Sequence, residues 1–174
     1  MLANRGISPP ARGFTLLELV VVICLVAILF TVAANRLWGL QVLAEQAAMD
    51  TVVGNLRSAL GMKVAELYVR GDTAGVRALE GSNPMNLLAE TPGNYQGESA
   101  GVTEPGSWVF RSDGTLIYRV KNEAYFEGPG GQPEVRFRVR LSFEDRNRNG
   151  RFDAGRDYIT GVRLVVLTPY RWKN

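Results

Sequence analysis

The chain has 174 residues, 46% of them hydrophobic, which suffices for one modest domain plus one long additional element. Its net charge of +3 owes two units to Arg5 and Arg12, and the rest of the chain is within one charge of balance, so composition excludes a globally basic nucleic-acid surface. With no histidine and one cysteine, Cys24, it cannot form an internal disulfide, a His/Cys zinc site, a Ser-His-Asp triad or a Cys-His pair.

The first 13 residues carry Arg5 and Arg12 and no acid. Phe14 to Ala34 then reads as an apolar helix in which only Thr15, Glu18 and Thr31 are polar. At ~1.5 Å per residue it crosses a hydrocarbon core of ~30 Å. The basic leader should stay cytoplasmic, which predicts a single pass with the C-terminal part exported. Three readings of this segment compete. A conventional signal peptide would use Val32-x-Ala34 as its cleavage rule, but the run is too long and contains an acid. A plain anchor accepts the length yet gives Glu18 no role, although a charge at membrane depth costs on the order of 3 kcal/mol.

The third reading uses every odd feature. "RGFTLLELVVVICLVAILF" resembles the class III signal of type IV prepilins and type II secretion pseudopilins. The resemblance implies cleavage after Gly13 by a prepilin peptidase and N-methylation of the new terminus, Phe14. It places Glu18 at the acidic fifth position of the mature chain. The Glu18 carboxylate would then meet the Phe14 amine of a neighbouring subunit. Each charge is expensive alone in hydrocarbon and compensated in the pair, which makes Glu18 a register device for assembly. Cys24 reads as a small apolar packing residue.

Helical spacing continues beyond the membrane segment through Leu40, Leu43, Ala47, Val52, Leu56, Leu60, Val64 and Leu67. No proline occurs from Ala11 to Asn83, and Gly71-Asp72 is a stop signal. The expected helix runs from about Phe14 to Arg70, on the order of 85 Å. Segment 14–34 is its membrane and assembly half, and 35–70 is its continuation. Many major type IVa pilins have a helix-breaking proline where this chain has Asn35; Asn35 and Gly39 only weaken a helix. The disulfide-bounded loop of many major pilins is impossible here. Both departures favour a minor pilin or a pseudopilin.

Residues 71–174 read as a globular β domain. Asn83 and Pro84 open a short helix within "GSNPMNLLAETPGNY". "SWVFR" and "TLIYRVK" form a hairpin around Ser112-Asp113-Gly114. In "EVRFRVRLSF", Val135, Phe137, Val139, Leu141 and Phe143 alternate with Arg136, Arg138 and Arg140. A last strand covers about Tyr158 to Thr168. The expected class is α+β, the type IV pilin fold: a long N-terminal helix packed on about four antiparallel strands. The row Arg136, Arg138, Arg140 can serve DNA, an acidic neighbouring subunit, or only water.

"DRNRNGRFDAGRD", residues 145–157, resembles a calcium loop. Oxygen side chains fall at Asp145, Asn147, Asn149 and Asp153, Gly150 sits at the sixth position, and Arg151 can offer its carbonyl. Hard oxygen donors at alternate positions suit Ca²⁺. The twelfth position is Arg156 instead of an acid, so Asp157 or Glu144 must substitute.

The expected function is structural. The subunit is made in the bacterial inner membrane, cut after Gly13, and polymerised through its helix into a type IV pilus or secretion pseudopilus. Its expected partners are other pilins or pseudopilins, the prepilin peptidase and the inner-membrane assembly platform. No G-x-S-x-G, phosphate loop or dinucleotide fingerprint points to an enzyme. The alternative is a membrane-anchored exported module that binds calcium or DNA and never polymerises.

Overall fold

A computed structural model describes residues 13–99, 101 and 104–173. The leader arginines Arg5 and Arg12 lie outside the described residues. Helix α1, Leu16–Val69, is a single run of 54 residues. It opens at Thr15, whose side-chain oxygen accepts the Glu18 N–H (3.2 Å) and whose carbonyl accepts the Leu19 N–H (3.1 Å). It closes at Gly71, in the left-handed region at φ 68°. There the Asp72 N–H reaches Leu67 O (2.9 Å) and the Gly71 N–H reaches Tyr68 O (3.0 Å). These two bonds satisfy carbonyls that a helix end leaves orphaned, and a glycine makes the turn without Cβ strain. The helix continues through position 35.

The chain divides into two compact units, one ending at Leu40 and one spanning Gln41–Asn174. In the first, the described apolar side chains are exposed, from Leu16 and Leu17 to Phe30 and Leu37. Among the described residues, α1 is the one helix long and apolar enough to cross a membrane. So apolar a surface, broken between Leu16 and Ala34 by Glu18 and Thr31, is what hydrocarbon tolerates and water does not.

In the second unit α1 becomes one-sided. Val42, Met49, Val53, Leu56, Leu60 and Leu67 are buried, at helical spacing. They join Trp108, Tyr118, Val120, Val135, Phe137, Val139 and Leu164 in one core. Full burial of each such side chain is worth about 1.5–3 kcal/mol. A six-residue helix, α2 (Thr73–Ala78), follows the Gly71 turn, capped by the Asp72 carboxylate on the Gly75 N–H (2.7 Å). The short helix expected at Asn83-Pro84 is a 3₁₀ turn, Pro84–Leu87, with Asn83 Oδ1 accepting the Met85 N–H (3.1 Å).

Seven strands follow: β1 (Tyr95–Glu98), β2 (Trp108–Phe110), β3 (Leu116–Arg119), β4 (Phe126–Glu127), β5 (Glu134–Glu144), β6 (Tyr158–Val166) and β7 (Arg171–Trp172). The main sheet has the order β1-β2-β3-β5-β6, and β4 pairs with β7 in a second sheet. The α+β class holds, with a correction to about four antiparallel strands. The sheet has five strands and is mixed, because β1 runs parallel to β2. Four residues with Gly97 at φ 80° carry no readable alternation, and two-residue strands carry none either. The β2–β3 hairpin forms around Ser112-Asp113-Gly114 as expected. In β5, Val135, Phe137 and Val139 are buried, while Leu141 and Phe143 are half-buried near a register shift against β6.

One polar lock ties α1 to the sheet within the second unit. The Glu45 carboxylate accepts the Tyr118 hydroxyl (3.0 Å), the Lys121 N–H (2.6 Å), the Asn122 N–H (3.0 Å) and Asn122 Nδ2 (2.6 Å). Burial pushes the Tyr118 hydroxyl pKa up, and the neighbouring Glu45 carboxylate adds to the shift.

Candidate functional site: the helix start and an oxygen-rich loop

Gly13 and Phe14 precede the helix and are exposed, Phe14 at 75%. A Cβ at Gly13 would meet nothing within 4 Å, so the fold does not require a glycine there. Thr15 caps the helix, and Glu18 occupies its first turn, where a negative charge complements the helix dipole. Thr15-x-x-Glu18 therefore has the spacing of a capping box. Its threonine arm is formed. This local role for Glu18 was legible in the sequence as T-x-x-E and was missed beside the membrane argument. The Glu18 carboxylate is exposed, and between Leu16 and Ala34 Thr31 is the one other polar side chain on the helix.

Residues 9–34 match the family model described as the Prokaryotic N-terminal methylation motif. The chain carries a class III, prepilin-type signal. The motif places Gly13, Phe14 and Glu18 inside the matched segment, and it supports an exported, type IV pilin- or pseudopilin-like subunit. Families with this signal are generally structural, and the signal with its apolar helix fits membrane anchoring. The motif suggests processing by a prepilin peptidase and assembly with other pilin subunits. Comparison with curated proteins and with solved structures gave no match to the chain.

The second candidate is the β5–β6 loop, residues 145–157. It turns twice through left-handed backbone, at Arg148 (φ 57°) and Gly150 (φ 75°), and again at Gly155 (φ 87°). Asp145 folds the loop by accepting the Asn149 N–H (3.2 Å) and the Gly150 N–H (2.7 Å). Asn149 Oδ1 accepts the Arg151 N–H (2.8 Å). Asn147 Nδ2 and Asn149 Nδ2 converge on Asp153 Oδ2, at 2.5 and 2.7 Å. Four of the expected donors therefore gather. The remaining acid is placed differently: Asp157 is buried and accepts the Arg146 N–H (3.1 Å) and the Asp153 N–H (2.7 Å). Asp157, like Asp145, uses both carboxylate oxygens to accept main-chain N–H groups and so braces the loop. Glu144 is exposed and lies 3.9 Å from Arg146. Arg146 stacks over the Tyr158 ring and Phe152 packs edge-on against Phe143, contacts the sequence pattern did not reveal.

Among the described residues no group of three or more His, Cys, Asp or Glu side chains is arranged as a metal site. The donor set is instead two carboxylates and two amides. Two amide N–H groups are aimed at one Asp153 oxygen. A half-turn of each amide would present its carbonyl oxygen there, at the loss of the bonds that Asn147 Oδ1 and Asn149 Oδ1 accept from the Asn149 N–H (3.2 Å) and the Arg151 N–H (2.8 Å). Asp145, Asn147, Asn149 and Asp153, with the Arg151 carbonyl, are hard oxygen donors of the type that a cation such as Ca²⁺ takes.

The arginine row on β5 is differentiated. Arg136 pairs with Glu134 and reaches Gln132 (3.0 Å). The Arg138 guanidinium lies against the adjoining turns at Gly81 and Gly114. Arg140 is exposed and lies opposite Arg163 of β6.

Proposed function

We propose that this chain is a minor pilin or pseudopilin subunit that polymerises through α1 after cleavage between Gly13 and Phe14. The observation that carries the reading is the start of α1: an exposed Gly13-Phe14 junction, a threonine cap, and a single carboxylate at Glu18 within apolar surface. Cleavage creates a positive amine four residues before Glu18. Side-by-side helices in register let the carboxylate of one subunit neutralise the amine of the next. Helices out of register leave both unpaired, at on the order of 3 kcal/mol for each charge at membrane depth. Glu18 thus selects one stagger, and polymerisation follows from repeating it. The machine that takes up the subunit sits in the bacterial inner membrane, with the β domain on the far side.

Intact and N-terminal peptide mass spectrometry on the protein from its own cell is the test. A chain beginning with N-methylated Phe14 supports the reading. A chain beginning at Asn35 would mark a conventional signal peptide and overturn it, and a chain beginning at Met1 would leave a plain anchor.

The loop supports a second role, as a Ca²⁺ site that stiffens the β5–β6 turn. Convergence of Asn147 and Asn149 on Asp153 favours it. Calcium at about a hundred times its dissociation constant adds about 2.7 kcal/mol to the bound fold. The expected result is a calcium-dependent rise in melting temperature of the full chain in detergent, abolished by Asp145→Ala with Asp153→Ala. No rise in the parent chain removes this role.

A further inference from the structure

We propose that the free edge of β6 is a docking site for an extended, acidic segment of a partner protein, which joins the main sheet as a further strand. β6 is the terminal strand of the order β1-β2-β3-β5-β6. Its phase is set by the Leu167 N–H, which donates to Arg136 O (2.8 Å). Counting back through the antiparallel register, Arg138–Val165, Arg140–Arg163 and Ser142–Gly161 are the bonded pairs. The main-chain N–H and C=O groups of Val162, Leu164 and Val166 therefore point away from β5, to the open side. Lower on the strand the edge is covered, because the Tyr68 hydroxyl donates to Ile159 O (3.1 Å). From Val162 to Val166, among the described residues, no helix, loop or side chain makes such a bond.

Proteins ordinarily blunt an edge of this kind with a bulge, a proline or a covering loop. Here the open stretch borders a groove of about 420 Å³, walled by Arg57, Leu60 and Gly61 of α1 and by Val162–Val165 of β6. Gly61 keeps the wall low, since a Cβ there would meet nothing within 4 Å.

Charge decides what fits. Arg57 stands on the helix side of the edge, and Arg163 stands on the outer face, directly opposite Arg140. Like charges opposite one another on neighbouring strands repel. Among the described residues none of the three makes an ion pair, although Arg163 Nε donates to Ser142 Oγ (2.8 Å). An incoming strand alternates its side chains between the two faces. Carboxylates on one face meet Arg57, and those on the other meet Arg163 and Arg140. A second copy's β6 would set arginines against arginines. A nucleic acid has no peptide ladder with which to use the edge N–H and C=O groups. An acidic peptide satisfies both the ladder and the charge.

The test uses the full chain in detergent micelles and a short fluorescent peptide in which glutamates fall in adjacent pairs between valines, so that both faces of the strand carry carboxylates. Amide hydrogen exchange at Val162, Leu164 and Val166 should slow by about tenfold or more at saturating peptide. Arg57→Glu with Arg163→Glu should weaken the peptide about tenfold by anisotropy, a loss of about 1.4 kcal/mol. Val166→Pro removes an N–H that β5 does not use, so it should leave the fold intact and the peptide unbound. Equal binding of a valine–lysine peptide, or full binding by the double reversal, overturns the proposal. So does absence of protection with any peptide. Protection that grows with protein concentration alone would assign the edge to a second copy, and protection by oligothymidylate alone would assign it to nucleic acid; either result also overturns it.

Discussion

Replacing Glu45, half-buried on α1, with alanine should strongly destabilise the β domain. Its carboxylate collects four hydrogen bonds, from the Tyr118 hydroxyl, two main-chain N–H groups and the Asn122 amide. Tyr118 is 4% exposed, so its hydroxyl would be stranded without water, at about 1–3 kcal/mol. The N–H of exposed Lys121 and the Asn122 groups regain some hydration, which limits their loss to roughly 0.5 kcal/mol each. The sum is about 3 kcal/mol. For a chain of this size that lowers the melting temperature by about 6–12 °C. Glu45→Gln keeps one acceptor oxygen and should lose about half as much. The assay is denaturant unfolding of the full chain in mild detergent, followed through Trp108, whose ring centroid lies 4.8 Å from that of Tyr118. A double-mutant cycle with Tyr118→Phe should return a coupling of about 1–2 kcal/mol. A loss below about 0.5 kcal/mol for Glu45→Ala, or a coupling near zero, would refute the argument that this carboxylate holds the helix to the sheet.

Other expectations follow from the same geometry. Because burial raises the Tyr118 pKa above its ordinary value, the unfolded chain loses that proton first as pH rises. Stability should therefore be level below about pH 10 and then fall, by up to about 1.4 kcal/mol per pH unit, and Tyr118→Phe should flatten that decline in an alkaline melting series. Asp157→Ala should cost about 1–3 kcal/mol in the absence of calcium, because it strands the Arg146 and Asp153 N–H groups that now close the loop; calorimetry in chelator checks this. Gly71→Ala meets open space and bears only the left-handed strain, about 1 kcal/mol. Gly114→Ala should cost more, since its Cβ would fall 2.9 Å from Gly81 O, and paired melting curves of the two variants give the order. Glu18→Ala should leave cleavage after Gly13 intact and abolish assembly, read by N-terminal mass spectrometry beside electron microscopy of sheared filaments.

What could be read from the sequence followed the length of each signal. Leu16–Val69 was legible because a long period without proline ends on a glycine that the αL turn requires. β5 was legible because Val135, Phe137 and Val139 alternate cleanly with arginines. β1 was not, because Tyr95–Glu98 is short, contains a positive-φ glycine, and pairs parallel with a strand ten or more positions away. The loop donors Asp145, Asn147, Asn149 and Asp153 were legible from their alternate spacing. The role of Asp157 was not, since its two oxygens are spent on main-chain N–H groups that any sequence would supply. Glu45 was invisible for the same reason: nothing near it in the chain announces partners more than 70 residues away.

The acids that hold this domain together mostly grip main chain. Glu45 holds the amides of Lys121 and Asn122, Asp72 that of Gly75, Glu80 that of Leu141, Asp145 those of Asn149 and Gly150, and Asp157 those of Arg146 and Asp153. Every residue type except proline supplies an N–H. Side chains at 121, 141 and 146 can therefore drift without loosening these bonds, while the acids cannot. In an alignment of diverging relatives the acids would stay fixed while exposed partners such as Lys121 varied. These main-chain grips would leave no correlated pairs of positions behind, and a contact map inferred from covariation would show only the side-chain bonds of Glu45 to Tyr118 and Asn122.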